Sequence, residues 1–430
     1  MSQLLTLPAL FLLAISAVAA AQDAAGQLPG TPVPASQDAT SPDATGKDAD
    51  QQEAPPVSRH NFRYSFAVID DATFYSSLRI PLPASASSLV KDPTVTLLQN
   101  QLLLEPSFAL RYRSRWSVAS SVVGLAESYH GLDVGEFGIP PGNPGASAAL
   151  SAAIKSYTGT HLQLRVKEAY AGLSAGDFDF MVGRRMVRWG TGYAFTAAGV
   201  LDPPRIATNP TDRLNLNEGR DMIKADWVHG PHALTLAWSS AVLAPAKATL
   251  HDTTAFRYNV LVHGFDTALI AGDDRGGDAF GALAFTRVLG QAWEVHGEAA
   301  WREHEAILLG AKYTMTNGIT FIGEFYTPPN TAYYRSMLIS STAGRQHYGF
   351  LRASKSRLRE LPGWKQWDLT GAAVMNLDDQ SYTGIFDVER RFGNRFSAYM
   401  HLEVPGGKKT SEYGATPYAA STSAGVRFQL

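Results

Sequence analysis

The sequence contains no cysteine among its 430 residues. This absence excludes disulfides, cysteine nucleophiles, cysteine-ligated zinc, iron–sulfur clusters and covalently attached c-type haem. It also excludes a lipoprotein anchor, which needs a cysteine at the cleavage site. It leaves the cellular compartment open, because oxidising compartments permit disulfides without requiring them.

Charged residues and long apolar runs are also scarce. Charged residues make up 18% of the chain, below the roughly 25% of soluble domains. Beyond the N-terminus, no apolar run approaches the ~20 residues that a membrane-spanning helix needs. Glycine (38 residues) and tyrosine (17 residues) are plentiful. This combination suits a protein that meets lipid on one face and water on the other.

Signatures of enzymes and of nucleic-acid binding are missing as well. The chain has no HExxH motif, which argues against a common zinc hydrolase site. Residues 406–410, GGKKT, lack the first glycine of a phosphate-binding loop. We therefore predict no enzymatic activity, no metal and no cofactor.

The N-terminal residues predict export. Residues 1–21 form a short apolar stretch that ends in Ala17-Val18-Ala19 and Ala19-Ala20-Ala21, patterns that signal peptidase cleaves. Residues 22–58 are rich in Ala, Pro, Asp and Gln and carry a net charge of −5, which predicts a disordered acidic linker. Because the whole chain carries −2 and residues 1–21 carry no charged side chain, residues 59–430 carry +3. A net charge this small does not indicate a basic surface for nucleic-acid binding.

From residue 59 onward, apolar and polar residues alternate with the period of a β-strand. Between Trp293 and Trp301, Val295, Gly297 and Ala299 share one face, and charged residues occupy the other. A tryptophan at each end of the apolar face favours a membrane barrel, because Trp settles at both bilayer interfaces.

We predict an all-β, antiparallel up-and-down transmembrane barrel over residues 59–430. Its strands number about eighteen, with sixteen as the alternative. They lie near 61–69, 99–113, 115–128, 160–174, 178–189, 220–229, 232–243, 253–263, 265–273, 278–288, 292–302, 306–316, 319–327, 345–355, 367–377, 382–391, 395–404 and 417–430.

The connections alternate in length, as they do in outer-membrane barrels. Tight turns are predicted at sites such as Gly176-Asp177, Gly230-Pro231 and Asn317-Gly318. Long loops are predicted at 70–98, 129–159, 190–219, 328–344 and 405–416. Residues 356–366 are an exception, too long for a periplasmic turn.

Two segments resemble known outer-membrane families. Residues 166–190, VKEAYAGLSAGDFDFMVGRRMVRWG, resemble a hairpin of porin-like families, the alginate-export-like porins and related uncharacterised groups. The alternating Val426, Phe428 and Leu430 resemble the C-terminal signal that the barrel assembly machinery reads, although Leu stands where Phe or Trp is usual. These resemblances imply a porin-like barrel in the outer membrane of a Gram-negative bacterium, with the assembly machinery as a partner.

Charged residues on the polar faces are candidates to line a pore. A basic lumen would favour anions; in the alternative reading, these charges pair and close the lumen. Glu168 breaks the alternation, which a bulge near Lys167 would repair. The candidates are Arg111, Arg113, Arg165, Arg184, Arg185, Arg188, Lys224, Asp226, Glu294, His296, Glu298, Lys312, Glu324, Asp387 and Glu389.

The loop 190–219 is a candidate constriction. Porins often fold such a loop into the lumen, and Arg205, Asp212 and Arg213 would then line the narrowest point. The alternative is a surface loop held by its own turns.

The sequence thus predicts a passive channel in the lipid bilayer of the outer membrane for small polar or anionic solutes. A structural or assembly barrel with a blocked lumen is the first alternative. A hydrolase that uses His296 or His401 is the second. The residues leave the oligomeric state open.

Overall fold

The structure is a computed structural model. It describes residues 60–79, 94–112, 115–133, 159–202, 217–239, 252–274, 279–301, 305–328, 347–358, 366–414, 416 and 418–430. No helix among them is long and apolar enough to cross a bilayer.

Eighteen strands follow one another along the described chain, as the alternating pattern predicts. Their bounds are β1 His60–Arg79, β2 Thr94–Tyr112, β3 Trp116–Asp133, β4 Gly159–Ala175, β5 Phe178–Arg185, β6 Arg220–His229, β7 His232–Ser239, β8 Thr253–Val262, β9 Phe265–Asp274, β10 Phe280–Leu289, β11 Trp293–Trp301, β12 Glu305–Thr314, β13 Ile319–Thr327, β14 Tyr348–Lys355, β15 Trp367–Asn376, β16 Ser381–Phe392, β17 Phe396–Gly406 and β18 Ala420–Gln429.

The strands form one closed antiparallel barrel. Each strand pairs with its neighbours in sequence, and β1 pairs with β18 from Ala67↔Gln429 to Ser76↔Ala420. Closure leaves every strand paired on both sides and removes the exposed edges of an open sheet. The predicted fold and the predicted number of eighteen strands are confirmed.

The two ends of the barrel differ in their connections. At one end, called here the turn end, most connections are tight turns, and Gly318 of the predicted Asn317-Gly318 turn has φ 81°. Glycine reaches this left-handed conformation without strain. At the other end, called here the loop end, longer connections such as 186–219 and 407–419 join the strands. The long connection at 356–366 is confirmed as an exception at the turn end.

The first two strands are longer than predicted, and the loop expected at 70–98 shortens to 80–93. The predicted strand ends at residue 69, before Asp70 and Asp71, yet β1 continues through both. Asp71 faces the lumen, where it accepts hydrogen bonds from Thr73 (2.8 Å) and Tyr399 (2.7 Å). Asp70 faces outward, and its apolar neighbour on β18 is Val426.

A β-bulge in β4 restores the alternation that Glu168 breaks. The pairing of β3 with β4 shifts register between Ser121 and Val122, which leaves Lys167 as the extra residue. Lys167 is buried, and its ammonium lies 2.9 Å from the Glu105 carboxylate. The bulge predicted near Lys167 is confirmed.

The outer and inner faces of the barrel differ in chemistry. Trp293 and Trp301 at the two ends of β11 are 49% and 52% exposed on the outer face. His296 and Glu298, between them on the inner face, are almost completely buried. Since polar groups are not buried without partners, something inside the barrel must cover them.

Candidate functional site: a chain segment held inside the barrel

Residues 186–202, called here the inner segment, cover the inner face. They follow β5 and turn into the lumen instead of continuing along the wall. Their backbone N–H groups point at carboxylates of the barrel wall, on β11 and β13. Within the loop predicted at 190–219, the described residues 190–202 therefore lie inside the lumen.

Glu298 is the first anchor of the inner segment. One carboxylate oxygen accepts hydrogen bonds from the backbone N–H of Thr191, from its hydroxyl (3.0 Å) and from the N–H of Gly192 (3.0 Å). The other oxygen accepts from the Thr196 hydroxyl (3.1 Å) and from the N–H of Ala197 (2.5 Å) and Ala198 (2.7 Å). Six donors thus surround one buried carboxylate and compensate its loss of water.

Glu324 is the second anchor, two strands away. It accepts hydrogen bonds from the N–H groups of Tyr193, Ala194 (2.8 Å) and Phe195 (3.3 Å). The Nε2 of His296 lies 3.0 Å from the same carboxylate. His296 lies over Gly310, where a Cβ atom would come within 2.2 Å of Nε2. Glycine at 310 is therefore what leaves room for this buried pair.

Asp202 closes the inner segment on itself. Its two carboxylate oxygens accept hydrogen bonds from the N–H groups of Trp189 (2.5 Å) and Gly190 (3.1 Å). The segment therefore presents most of its backbone donors to three carboxylates, and its path is determined by side chains at 202, 298 and 324.

Apolar packing holds the same segment from the other side. Trp189, Ala198 and Leu201 are buried against inner-wall residues of β7–β10 that are mostly alanine. Small side chains on that wall leave the space that the segment fills. These wall alanines are Ala237, Ala255, Ala268, Ala282 and Ala284.

A second connection reaches the inner segment from the loop end. Tyr413, in the connection between β17 and β18, is buried in one cluster with Ala194 and Phe350. Its neighbour Glu412 accepts hydrogen bonds from the Tyr348 hydroxyl (2.8 Å) and the Asn376 amide (2.7 Å). Burial raises the pKa of Glu412 above its usual value, and these two hydrogen bonds oppose the shift.

Charged side chains gather where Tyr193 meets the wall. The Tyr193 hydroxyl donates to Glu294 (2.9 Å), and Lys312 lies 3.7 Å from the same carboxylate. Lys312 also lies 5.7 Å from the centre of the Tyr193 ring. The buried Nε of Arg352 has no hydrogen-bond partner in the described part of the chain. The carboxylate of Asp387 attracts the guanidinium of Arg352.

Other candidate residues also have partners on the wall. Arg165 binds Gln163 and lies 3.8 Å from Glu218. Lys224 pairs with Asp226, and Asp387 lies 2.8 Å from His401. Glu389 is half-buried opposite Asp368, whereas Arg111 on β2 is exposed.

The basic stretch of β5 divides between faces. Arg184 pairs with Asp221 (2.6 Å). Asp221 precedes Met222, which is buried on the lumen face of β6, and side chains alternate between faces along a strand. The pair of Arg184 and Asp221 therefore belongs to the outer face. Arg185 lies 4.7 Å above the Tyr170 ring. Arg188 is exposed in the inner segment.

Four candidates lie outside the described residues: Arg113, Arg205, Asp212 and Arg213. Of the C-terminal signal, Val426 and Phe428 lie opposite Asp70 and Val68 on the outer face. Leu430 exchanges backbone hydrogen bonds with Phe66.

The sequence reasoning missed what Glu298 and Glu324 bind. Their alternation placed them on the inner face, where the structure has them, but their partners are backbone N–H groups of residues 191–198. Backbone donors leave no trace in side-chain patterns. The only signal was the small-residue composition of GTGYAFTAAG, residues 190–199, which lets a backbone approach carboxylates closely.

No protein-family model matches the chain, and no curated protein matches it either. Solved structures do match. OccK5 (OpdH) of Pseudomonas aeruginosa has 7% identity and a TM-score of 0.51, with 85% of this chain and 98% of that chain covered. OpdK of the same organism, solved with vanillate, has 9% identity, 85% and 98% coverage and a TM-score of 0.51. Wzi of Escherichia coli, described as a carbohydrate-binding outer-membrane β-barrel involved in group 1 capsule assembly, has 10% identity, 84% coverage of each chain and a TM-score of 0.50. At these identities the likeness shows that the chain shares the fold of outer-membrane β-barrels.

Proposed function

We propose that this chain is a passive channel in the outer membrane of a Gram-negative bacterium. Small polar or anionic solutes diffuse through a lumen that the inner segment narrows. The observation that carries the proposal is the attachment of residues 186–202 to the wall carboxylates Glu298 and Glu324, which fixes a constriction inside a closed barrel.

The distribution of polar groups supports an aqueous path. The described hydrogen bonds that join the inner segment to the wall run to β4, β11 and β13. The wall of β1–β4 has polar side chains of its own, joined in pairs such as Gln101–Glu127 (2.6 Å) and Lys167–Glu105. Polar side chains along a lumen are what hydrated solutes need.

Arg352 supports the preference for anions. A guanidinium keeps its charge at every physiological pH, and the Nε of Arg352 is buried without a hydrogen-bond partner in the described part of the chain. An anion in the lumen beside Tyr193 would be attracted by this positive charge. The Nε of Arg257 is likewise buried without a hydrogen-bond partner in the described residues, but four carboxylates, those of Asp266, Asp202, Glu298 and Asp226, attract this guanidinium, whereas Asp387 alone does so at Arg352.

A barrel with a blocked lumen is the second candidate. Four buried apolar clusters of described residues lie inside the barrel, and one of them joins Ile69, Leu103 and Tyr399 on the wall of β1, β2 and β17. Such clusters exclude water. A closed barrel would act through its loop end, by binding a partner there.

Reversal potentials across a KCl gradient in planar bilayers test the proposal. The folded wild-type chain should favour chloride over potassium, and Arg352→Gln should reduce that preference. Arg111→Gln removes the same charge from an exposed position and should change the preference less. Equal effects of the two substitutions, or a preference for potassium in the wild type, would contradict the anion channel.

The remaining assignments rest on the residues alone. Residues 1–21 would direct export, residues 22–58 would stay in the periplasm, and Val426, Phe428 and Leu430 would engage the assembly machinery. The turn end of the barrel would then face the periplasm. The likeness of residues 166–190 to the alginate-export-like porins is likewise a proposal from the residues.

A further inference from the structure

The outer face of the barrel contains a groove that the channel function does not use. It crosses β12–β16, has a volume of about 900 Å³ and is lined mainly by apolar residues. We propose that this groove binds one acyl chain of a phospholipid from the leaflet at the turn end. The proposal rests on the outer-membrane location and does not depend on whether the lumen conducts.

Two adjacent rows of the sheet build the floor of the groove. One row runs across β12 to β16 through Ala311, Gly323, Leu351, Ala373 and Gly384. All of its residues except Leu351 are small. The next row, one step toward the turn end, pairs Ala353 with Gly371. Six small residues thus lie side by side where an outer face usually presents large apolar side chains.

Neither the backbone nor the packing requires the glycines of this floor. Gly371 and Gly384 do not have positive φ angles. A Cβ atom on Gly371 would meet nothing within 4 Å, and one on Gly384 would meet only the Val404 carbonyl oxygen at 3.8 Å. Glycine inside a strand weakens the strand and often marks close approach of a ligand. The missing side chains therefore leave space for something outside the chain.

The rims of the groove are large and apolar. Trp293, Tyr313 and Phe321 stand at its β11–β13 end, and Phe386 and Leu402 stand at its other end. Trp293 is the first residue of β11, so the groove opens at the turn end of the barrel. Aromatic residues at this level are where barrels meet the headgroup region, and a chain entering there comes from the adjoining leaflet.

The shape of the groove favours an acyl chain over a second copy of this protein. Five strands spaced ~4.8 Å apart give it a length of about 19 Å, and it is only about one or two side-chain rows wide. An α-helix with side chains is ~10–12 Å across. The outer wall of a second barrel is convex and would touch only the rims. A flexible hydrocarbon chain fills the hollow and restores the dispersion contacts that an empty groove lacks.

Native mass spectrometry of the folded full chain tests this, with dipalmitoyl phosphatidylethanolamine added in mild detergent as the probe. The groove is filled by Gly371→Leu together with Gly384→Leu. The control adds two leucines to the outer face elsewhere, Gly281→Leu with Ala271→Leu, on β10 and β9. A Cβ at Gly281 is 4.0 Å from its nearest neighbour, the Ile270 carbonyl oxygen. A heat-modifiable shift on gels confirms that each variant is folded.

We expect one tightly retained lipid on the wild type and on the control, and about tenfold less on the filled variant. Equal retention by all three proteins would overturn the proposal. So would a wild-type dimer that the filled variant loses, because the groove would then be an interface between copies. A bilayer recording of the filled variant separates this proposal from the channel: its conductance should equal that of the wild type.

Discussion

Replacing Glu298 with glutamine should release the inner segment from the wall. The carboxylate accepts six hydrogen bonds, four of them from backbone N–H groups of Thr191, Gly192, Ala197 and Ala198. Glutamine keeps one oxygen, and its NH₂ group turns a donor toward two of those backbone donors. A buried donor left unpaired costs about 1–3 kcal/mol, so two donors weaken docking by about 3 kcal/mol. That energy is a factor of more than ~100 in the ratio of docked to undocked segment.

Single-channel recording measures this directly. Glu298→Gln should show brief steps of larger current about 100-fold more often than the wild type, because each release of the segment widens the lumen. Glu294→Gln is the matched control on the same strand and face. Its amide oxygen still accepts from the Tyr193 hydroxyl, and no backbone donor is lost. If folded Glu298→Gln channels are as quiet as the control, the carboxylate does not hold the constriction.

Three further changes test the fold. Gly310→Ala puts a Cβ within 2.2 Å of His296 Nε2 and should lower the free energy of unfolding by about 1–3 kcal/mol, measured by urea titration in lipid vesicles. The control Gly281→Ala, which has open space around it, should change that free energy little. Equal effects of the two substitutions would contradict the packing account. Asp70→Leu removes an outward carboxylate from the apolar band and should raise that free energy by about 1 kcal/mol, whereas a loss would show that Asp70 has a stabilising partner. Burial raises the pKa of Glu412 in the folded protein. Its protonated form therefore stabilises the loop when the pH is below the pKa of the unfolded state, and this stabilisation is lost as the pH rises through the pKa of the folded state. Proteolysis within 407–419 should therefore be faster at pH 8 than at pH 5, and Glu412→Gln should reduce the difference; a pH-independent rate in the wild type would contradict this.

The barrel was predictable because its physics is periodic. A strand with one face in lipid and one in the lumen must alternate, and the alternation from Trp293 to Trp301 marks both faces without any partner strand. Turns such as Asn317-Gly318 are equally local, since the residues that permit positive φ are few. The strands, their number and the bulge at Lys167 follow from such local signals.

The interior was less predictable because it depends on contacts between distant parts of the chain. Glu298 and Thr191 are 107 positions apart, and nothing near either residue indicates the other. The same holds for Arg184: its charge suggested the lumen, but its pairing with Asp221 on the neighbouring strand lets it lie on the outer face. Where charges are neutralised by cross-strand partners, side-chain type alone does not determine the face.

The most direct test of the central claim is a current measurement on the folded wild-type chain in planar bilayers. A channel with a fixed constriction predicts discrete, stable open steps in KCl that favour chloride. Folded protein that inserts but passes no current at any voltage would contradict it, and would instead establish the barrel with a blocked lumen.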